Sequence, residues 1–351
     1  MPNLSSYTKA TEASILASAP TADGEMAYST DTNKLFLSDG TSWVEWNSDG
    51  ISKGSYSFDA NTTVNARPYR HIDLSDTTGM KNDSGSTPSN GDTISEITCK
   101  STGKKLTQEV SIYQPKFISS AGTTPIAGTS HTGADTDALI GGKSVLQFKN
   151  SKTDGQTWIS DPPIGNGEDP FILHDYSVFM VYRNAGGNNS YPSIIASPVT
   201  RSVSQYNYGF FSLTDSTNVS SGGSNYLRFQ NYVLNSNSSV PTAYLPAGYR
   251  NILYHTNSIR SSSQVAFTNY TNTAPSNTQG TAQYIATDLS NPSGPIMSGL
   301  SIAHGVTGAT NTTWAGEMGE IIFFREILSP TDANAIGAYL SSKWGIDYTD
   351  I

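Results

Sequence analysis

Short runs in which apolar and polar residues alternate, divided by turn-forming residues, constrain the fold of this chain more than any other feature. The clearest run is Gly24–Trp46, GEMAYSTDTNKLFLSDGTSWVEW. Its alternating apolar pairs are Met26 and Tyr28, Leu35 and Leu37, and Val44 and Trp46. Successive side chains of a β-strand point to opposite faces, so a period of two is typical of strands. Asp39 and Gly40 favour a tight hairpin, because both positions tolerate positive φ. We therefore predict a three-stranded β-meander, which is too small to bury a core alone.

Strand signals continue at longer spacing after Ser55. The candidates are Tyr56–Phe58, Val145–Phe148, Tyr176–Tyr182, Ser193–Ala196, Tyr208–Leu213, Tyr226–Phe229, Ile252–His255, Gln264–Phe267, Leu300–Ala303 and Glu320–Phe324. Tyr176–Tyr182 (YSVFMVY) is apolar at successive positions, which predicts a central strand covered on both faces. Residues 73–133 are assigned a hairpin over Thr93–Ser101 and an extended loop.

One clear helix is predicted near the C-terminus. Ser329 is a favourable N-cap, Pro330 occupies the first helical position, and Asp332 lies where a capping box places an acidic residue. Gly345 is placed to end the helix. The apolar stripe at helical spacing consists of Ile336, Tyr339 and Leu340. A weaker helix is expected over Thr8–Ala19, and its apolar anchors are Ile15 and Leu16.

The composition favours an all-β protein and excludes several classes of partner. Charged residues are 14% of the chain, with 31 Gly and 19 Tyr, which suits short strands joined by turns. The net charge is −9 without a basic stripe, so we expect no nucleic-acid partner.

No segment approaches the ~20 apolar residues of a spanning helix, so we expect no membrane insertion. Cys99 is the single cysteine, which excludes an internal disulfide. The N-terminus lacks signal-peptide features, so we expect synthesis in a cytoplasm.

The last third of the chain resembles a laminin-G/concanavalin A-like lectin domain. The matching residues are LSIAHG (Leu300–Gly305) and WAGEMGEIIFFREILSPTDANAIGAYLSSKWGI (Trp314–Ile346). In that family a glycine-bounded strand with a glutamate precedes a short helix and a closing KWGI. Upstream, VLQFKN (Val145–Asn150) and YSVFMVYR (Tyr176–Arg183) fit its first half. The resemblance implies that residues 51–351 form a concanavalin A-like jelly-roll β-sandwich with one C-terminal helix.

The meander resembles a small module that recurs in virion proteins of tailed bacteriophages. The matching residues are GEMAYSTDTNKLFLSDGTSW (Gly24–Trp43). The resemblance implies that residues 1–50 attach to other virion proteins, and that residues 51–351 serve as a capsid decoration or tail-associated fibre. It leaves open adhesion to a host-surface glycan. The expected location is the virion, assembled in the host cytoplasm and released by lysis. A homo-oligomer is expected, with a trimer favoured.

Two other functions remain as alternatives. One is a free or cell-surface carbohydrate-binding module or adhesin. The other is a glycoside hydrolase, which needs two carboxylates flanking the scissile bond. The nearest pair is Glu317 and Glu320, whose odd spacing predicts opposite faces of a strand. We interpret Glu320 as a buried or edge acid that closes the strand onto the helix, and we expect no enzymatic activity.

Candidate ligand-binding residues lie mainly in loop sequences. Calcium prefers oxygen ligands, and the candidates are Asp135, Asp137, Asp161, Glu168 and Asp169. Aromatic residues stack on sugar rings, and the candidates for glycan binding are Tyr191, Tyr206 and Tyr208. No other cofactor is expected. The histidines lack metal-site spacing and are interpreted as surface or loop residues: His71, His131, His174, His255 and His304.

Overall fold

The computed structural model divides the chain into two compact units, Met1–Tyr69 and Arg70–Ile351. The predicted boundary after residue 50 falls in residues 47–53, outside the described residues. The described residues are 8–20, 23–31, 35–39, 41–46, 54–125, 137–151, 155–157, 159–161, 171–172, 176–184, 193–196, 211–216, 226–233, 236–244, 251–261, 264–273, 276–280, 296–297, 299–303, 314–346, 348 and 350.

The first unit contains the predicted meander with one additional strand. The strands are β1 (Thr8–Ala10), β2 (Asp23–Ser29), β3 (Leu35–Asp39) and β4 (Trp43–Trp46), in that order across the sheet. β2, β3 and β4 are antiparallel, and β1 joins β2 in parallel. A short hairpin follows, formed by β5 (Tyr56–Ser57) and β6 (Thr63–Val64). The meander is therefore confirmed.

A short helix, α1 (Glu12–Ala17), covers one face of this sheet. The Thr11 side chain caps it by accepting a hydrogen bond from the Ser14 N–H. The prediction of helix from Thr8 onward is wrong, because Thr8–Ala10 pairs with β2 and Thr11 starts the helix. Ile15 packs with Ala27 and Phe36 in the core, whereas Leu16 is 55% exposed.

The second unit is an all-β sandwich of the jelly-roll type with one C-terminal helix, as the sequence predicts. Its strands are β7 (Arg70–Asp73), β8 (Met80–Asn82), β9 (Ile94–Thr98), β10 (Lys105–Thr107), β11 (Lys116–Ile118), β12 (Val145–Phe148), β13 (Asn150–Ser151), β14 (Gly155–Gln156), β15 (Ile159–Ser160), β16 (Phe171–Ile172), β17 (Tyr176–Asn184), β18 (Ser193–Ala196), β19 (Phe211–Ser216), β20 (Tyr226–Val233), β21 (Ser236–Tyr244), β22 (Asn251–Ser261), β23 (Gln264–Thr273), β24 (Ser276–Gly280), β25 (Ile296–Met297), β26 (Ser301–Ile302) and β27 (Gly316–Phe324).

Two large sheets make up the sandwich. One has the strand order β21-β20-β19-β18-β26-β15-β10-β9-β8. The other has the order β11-β12-β27-β17-β22-β23-β24, and β7 also pairs with β27. Along one edge of β27, β12 pairs with its first half and β7 with its second half. β13 pairs with β14 and β16 with β25 in two short ladders.

The strands β17 and β27 form the centre of the second sheet. All residues of Gly316–Phe324 are buried, and so are Tyr176–Arg183. Their inward aromatic contacts include Tyr176 on Phe323, with ring centroids 5.8 Å apart. The prediction of a central strand covered on both faces is confirmed for β17.

The C-terminal helix, α2 (Pro330–Trp344), begins and ends as predicted. The Ser329 hydroxyl accepts a hydrogen bond from the Asp332 N–H at 3.1 Å. Gly345 adopts φ 64° and donates its N–H to the Ser341 carbonyl. The buried residues of the helix include Ile336, Tyr339, Leu340 and Trp344. No helix among the described residues is long and apolar enough to span a membrane.

Residues 73–125 contain more strand than the sequence indicates. The predicted hairpin over Thr93–Ser101 is wrong, because Ile94–Thr98 is one strand that pairs with β8 on one side and β10 on the other. The turn instead spans Cys99–Lys104, where the Cys99 N–H donates to the Lys104 carbonyl. The segment expected to be an extended loop also contains two 3₁₀ turns, Thr77–Gly79 and Ser111–Tyr113.

Replacing the α2 cap tests the role of this helix in the fold. We expect Ser329→Ala to lower the free energy of unfolding by about 1 kcal/mol, because an N–H of the first turn loses its acceptor. Ser329→Thr should retain most of the stability, since its hydroxyl can accept from the Asp332 N–H and donate to Asp332 Oδ2 as the serine does. Urea denaturation measures both variants, and equal losses in the two would contradict the capping role.

Candidate functional site

The carboxylate of Glu320 on β27 is the centre of a buried polar network. Its Oε1 accepts hydrogen bonds from His71 Nε2 at 2.7 Å and from the Tyr339 hydroxyl at 3.0 Å. Its Oε2 accepts from Lys343 Nζ at 2.7 Å and from Trp344 Nε1 at 2.8 Å. An ionised carboxylate has about four lone-pair sites, and these four donors fill them. The glutamate therefore fastens α2 and β7 to the central strand.

The network continues outward through alternating charges. Lys343 Nζ also contacts Asp73 Oδ2 at 2.8 Å. Lys100 Nζ contacts the same Asp73 oxygen at 2.8 Å and Asp76 Oδ2 at 2.9 Å. Side-chain exposure rises from 0% at Glu320 to 36% at Lys100. We name these residues the Glu320 network: His71, Asp73, Asp76, Lys100, Glu320, Tyr339, Lys343 and Trp344.

Both inner carboxylates of the network are held in the ionised form. Burial favours a higher pKa for Glu320, but the hydrogen bond from His71 and the positive charges nearby outweigh it, so the pKa lies below its ordinary value. Burial also opposes ionisation of Asp73, while Lys343, Lys100 and Ser75 lower its pKa well below the usual range. The Lys100 pKa is raised, because its hydrogen bonds to the two aspartates outweigh its partial burial.

A second buried carboxylate, Glu317, lies at the other end of β27. It accepts a hydrogen bond from Gln147 Nε2 at 3.1 Å and lies 4.0 Å from Arg183 Nη1. The Arg183 guanidinium also donates to the carbonyls of Asp137 at 2.6 Å and Leu139 at 2.9 Å. This arginine therefore holds the segment that leads into β12.

The two glutamates lie on the same face of the sheet, so the prediction of opposite faces is wrong. The register pairs Glu317 with Arg183 and Glu320 with Val181, and a bulge inserts Gly319 between them. A bulge adds one residue to one strand, which converts odd spacing into same-face spacing. Glycine is required there, since a Cβ on Gly319 would lie 2.6 Å from the Trp344 ring. Both carboxylates are nevertheless fully buried against the chain's own polar groups.

A separate ion pair joins the two sheets inside the sandwich. Arg70 on β7 contacts Asp161 Oδ2 through Nε at 3.0 Å and Nη2 at 2.9 Å. The same oxygen accepts the Leu300 N–H at 2.7 Å. Both side chains are almost fully buried. The structure thus places Asp161, a calcium candidate, in an interior pair, where its carboxylate stabilises the packing of the sheets.

The remaining candidates give no assembled ligand site within the described residues. Asp137 is half-buried and accepts the N–H groups of Leu139 at 3.0 Å and Gly122 at 3.2 Å, so it shapes its own loop. No group of three or more His, Cys, Asp or Glu in the described part of the chain could hold a metal ion. The candidates outside the described residues are Asp135, Glu168, Asp169, Tyr191, Tyr206 and Tyr208.

The interpretation of the histidines as surface or loop residues is wrong for His71. It is 1% exposed on β7 and hydrogen-bonded to Glu320. The spacing of the histidines along the sequence gives no sign of this contact, because Glu320 lies 249 residues from His71. His255 lies on β22, and the others lie outside the described residues: His131, His174 and His304.

Comparison with known proteins gives structural similarities, and the three described below have TM-scores under 0.5. No family model and no curated protein matches the chain. An arabinofuranosidase complexed with arabinofuranosyl-α-1,2-xylobiose is 11% identical over 70% of this chain and 50% of its own, with a TM-score of 0.42. The CBM40 of Ruminococcus gnavus IT-sialidase bound to α2,3 sialyllactose is 12% identical over 47% and 83%, with a TM-score of 0.32. Basic winged bean lectin with Tn-antigen is 14% identical over 51% and 86%, with a TM-score of 0.31.

The chain spans about half the length of that arabinofuranosidase. Identities and scores this low transfer no activity or ligand. The assignment of a lectin-like sandwich therefore rests on the chain's own sheets, and the function must be argued from its own residues.

The Glu320 carboxylate should dominate the stability of the sandwich. We expect Glu320→Gln to lower the free energy of unfolding by about 3–5 kcal/mol, because it leaves buried donors without their charged acceptor. Glu96→Gln is the matched control, since Glu96 forms a salt bridge at 3.0 Å with Lys105, whose side chain is 54% exposed. That control should cost less than about 1 kcal/mol. Similar losses in both variants would contradict the central role of Glu320.

The Glu320 network should also determine how the free energy of unfolding falls at acidic pH. The pKa values of Glu320 and Asp73 are lowered in the folded chain, so their contribution is complete above the ordinary carboxyl pKa of about 4. It is lost as the pH falls through the lowered folded values, because the unfolded chain then binds more protons. Unfolding free energies measured from neutral to acidic pH should fall less steeply in Glu320→Gln than in the wild type. Parallel curves would refute this assignment.

Proposed function

We propose that this chain is a structural protein of a bacteriophage particle, in which residues 1–50 attach to other virion proteins and the lectin-like sandwich is displayed. The observation that supports the proposal is the division into two compact units, of which the first, Met1–Tyr69, contains residues 1–50 and packs its described sheet around a small cluster of Ile15, Ala27 and Phe36. A four-stranded sheet with one short helix gains stability from association with other chains. The resemblance of Gly24–Trp43 to phage virion modules supports other virion proteins as those chains.

The proposed role of the sandwich is binding, with a host-surface glycan as its ligand. A glycosidase needs two carboxylates that reach the sugar from either side of the scissile bond. Glu317 and Glu320, the pair nearest to that requirement, are fully buried and contact Gln147, Arg183 and the Glu320 network. Their positions support a structural use of both acids, and so they favour a displayed binding domain over an enzyme.

Deleting residues 1–50 tests the proposed division of labour. The shortened chain is expected to unfold cooperatively like the parent sandwich, and to be missing from purified particles of a phage that encodes it. Mass spectrometry of the particles measures incorporation, and circular dichroism checks the fold. Incorporation of the shortened chain at the wild-type level would refute the attachment role of residues 1–50.

A glycan array separates the display role from adhesion. Binding of the full chain to specific glycans, without incorporation into particles, would favour a free or cell-surface adhesin. Incorporation without any glycan binding would leave a structural role and exclude adhesion. Release of reducing sugar from any polysaccharide on incubation would overturn the proposal of a non-catalytic domain.

A further inference from the structure

Asn90 is an exposed asparagine whose side chain joins two segments of the sandwich. Its Oδ1 accepts the N–H of Ser119 at 2.8 Å and that of Ser120 at 3.1 Å. Asn90 lies between β8 and β9, whereas the two serines follow β11, so the bonds connect positions 29 and 30 residues apart. A single exposed amide therefore fastens the segment before β9 to the end of β11.

Asn90 also lies in a tight turn that places a glycine after it. The Asp92 N–H donates to the Ser89 carbonyl at 3.1 Å and closes the turn. Gly91 adopts φ 92°, a backbone conformation that glycine reaches without steric cost. A positive φ at the third residue is the geometry of a type II turn. We name Ser89–Asp92 the corner turn, and its conformation explains why an exposed asparagine directly precedes a glycine.

The corner turn leads into hydrogen bonds that join the two sheets. The Gly91 N–H donates to the Phe117 carbonyl at 2.8 Å, and the Phe117 N–H donates to the Asp92 carbonyl at 2.8 Å. The Ile94 N–H then donates to the Pro115 carbonyl at 2.9 Å. Ile94 belongs to β9 of one sheet and Phe117 to β11 of the other. The shape of the corner turn therefore determines how the two sheets meet at this corner.

An asparagine followed by glycine can lose its side-chain amide without an enzyme, and asparagine is thermolabile for this kind of reason. The Gly91 nitrogen, after losing its proton to hydroxide, attacks Asn90 Cγ. The N–Cγ bond forms and the Cγ–Nδ2 bond breaks, while Nδ2 takes a proton from water and leaves as ammonia. Water then opens the cyclic imide at either carbonyl, which gives aspartate or isoaspartate. The net reaction consumes one water and releases one ammonia.

We infer that Asn90 is a site of spontaneous deamidation whose rate is set by the opening of the corner turn. In the closed turn the Phe117 carbonyl holds the Gly91 N–H, and two N–H groups hold Asn90 Oδ1. Ring closure needs rotation at Asn90 and removal of the Gly91 proton, so these hydrogen bonds must break first. Local opening costs free energy, which keeps the reactive population small. The inference concerns the sandwich and does not depend on the proposed particle role.

The two products have different consequences for the corner between the sheets. Aspartate at position 90 keeps a side-chain oxygen that can accept from Ser119 and Ser120. Isoaspartate carries the main chain through the former side chain, which adds one methylene to the corner turn. The added length displaces Gly91 from the Phe117 carbonyl and weakens the contact between β9 and β11. Deamidation would therefore mark chains in which this corner has opened.

Peptide mapping by mass spectrometry of the full-length chain, incubated at mildly alkaline pH, tests the inference. We expect Asn90 to be converted at least about tenfold more slowly in the folded chain than in urea, because opening must precede reaction. Asn166 also precedes a glycine in the sequence, so it is the internal reference for the unfolded chain. Equal rates at Asn90 with and without urea would overturn the inference. Conversion of Asn166 but not of Asn90 in urea would overturn it as well.

A matched pair of proline variants tests the side-chain hydrogen bonds. Ser119→Pro removes the donor at 2.8 Å, and Ile118 before it is extended in β11, as a residue before proline should be. Ser111→Pro is the control, because Ser111 begins a 3₁₀ turn and makes neither bond to Asn90. Circular dichroism checks both folds. Asn90 should be converted several-fold faster in folded Ser119→Pro and at the wild-type rate in Ser111→Pro, with equal rates for all three chains in urea. A folded Ser119→Pro that is converted at the wild-type rate would contradict the protection.

Discussion

The hydrogen-bonded carboxylate of Glu320 is the constraint on which the rest of the sandwich depends. Burying a carboxylate costs several kcal/mol unless donors replace its water, and here four side chains do so. Three of these donors belong to α2 and one to β7. The attachment of the helix is therefore specified by hydrogen-bond directions as well as by its apolar stripe. A displaced helix would leave the buried carboxylate with one of its four donors, His71, which makes the native position of α2 strongly preferred.

The need to hydrogen-bond the Glu320 carboxylate determines the local shape of β27. The bulge at Gly319 places Glu320 on the helix side together with Glu317, and it lies where the edge partner changes from β12 to β7. The Leu74 N–H donates to the Gly319 carbonyl at 2.9 Å, so the bulge is itself hydrogen-bonded. The absence of a side chain at Gly319 leaves room for the Trp344 ring. The bulge at Gly319 thus places Glu320 next to Trp344 at the point where β27 changes its edge partner from β12 to β7.

The elements that could be predicted are those whose determinants are local in sequence. The α2 cap, its stripe and its terminating glycine lie within Ser329–Gly345, and the meander is specified by its own alternation and turns. β7 was missed because three of its four residues are polar, Arg70, His71 and Asp73, and each faces a partner from another segment. The contacts from Arg70 to Asp161 and from His71 to Glu320 span 91 and 249 residues. The bulge left one local signal, a glycine inside a strand pattern.

The polar side chains of β7 lie on both faces of its sheet, one towards the other sheet and one towards α2. Arg70 faces the other sheet and pairs with Asp161, while His71 and Asp73 face α2 and join the Glu320 network. Removing Arg70 would leave the buried Asp161 carboxylate without its cation, and removing His71 would take one donor from Glu320. The register of β7 therefore determines the polar contacts on both of its sides. The inner acids Asp73, Asp161, Glu317 and Glu320 are therefore committed to holding the sandwich together. Recognition of a ligand or of another chain must accordingly use residues other than these four acids.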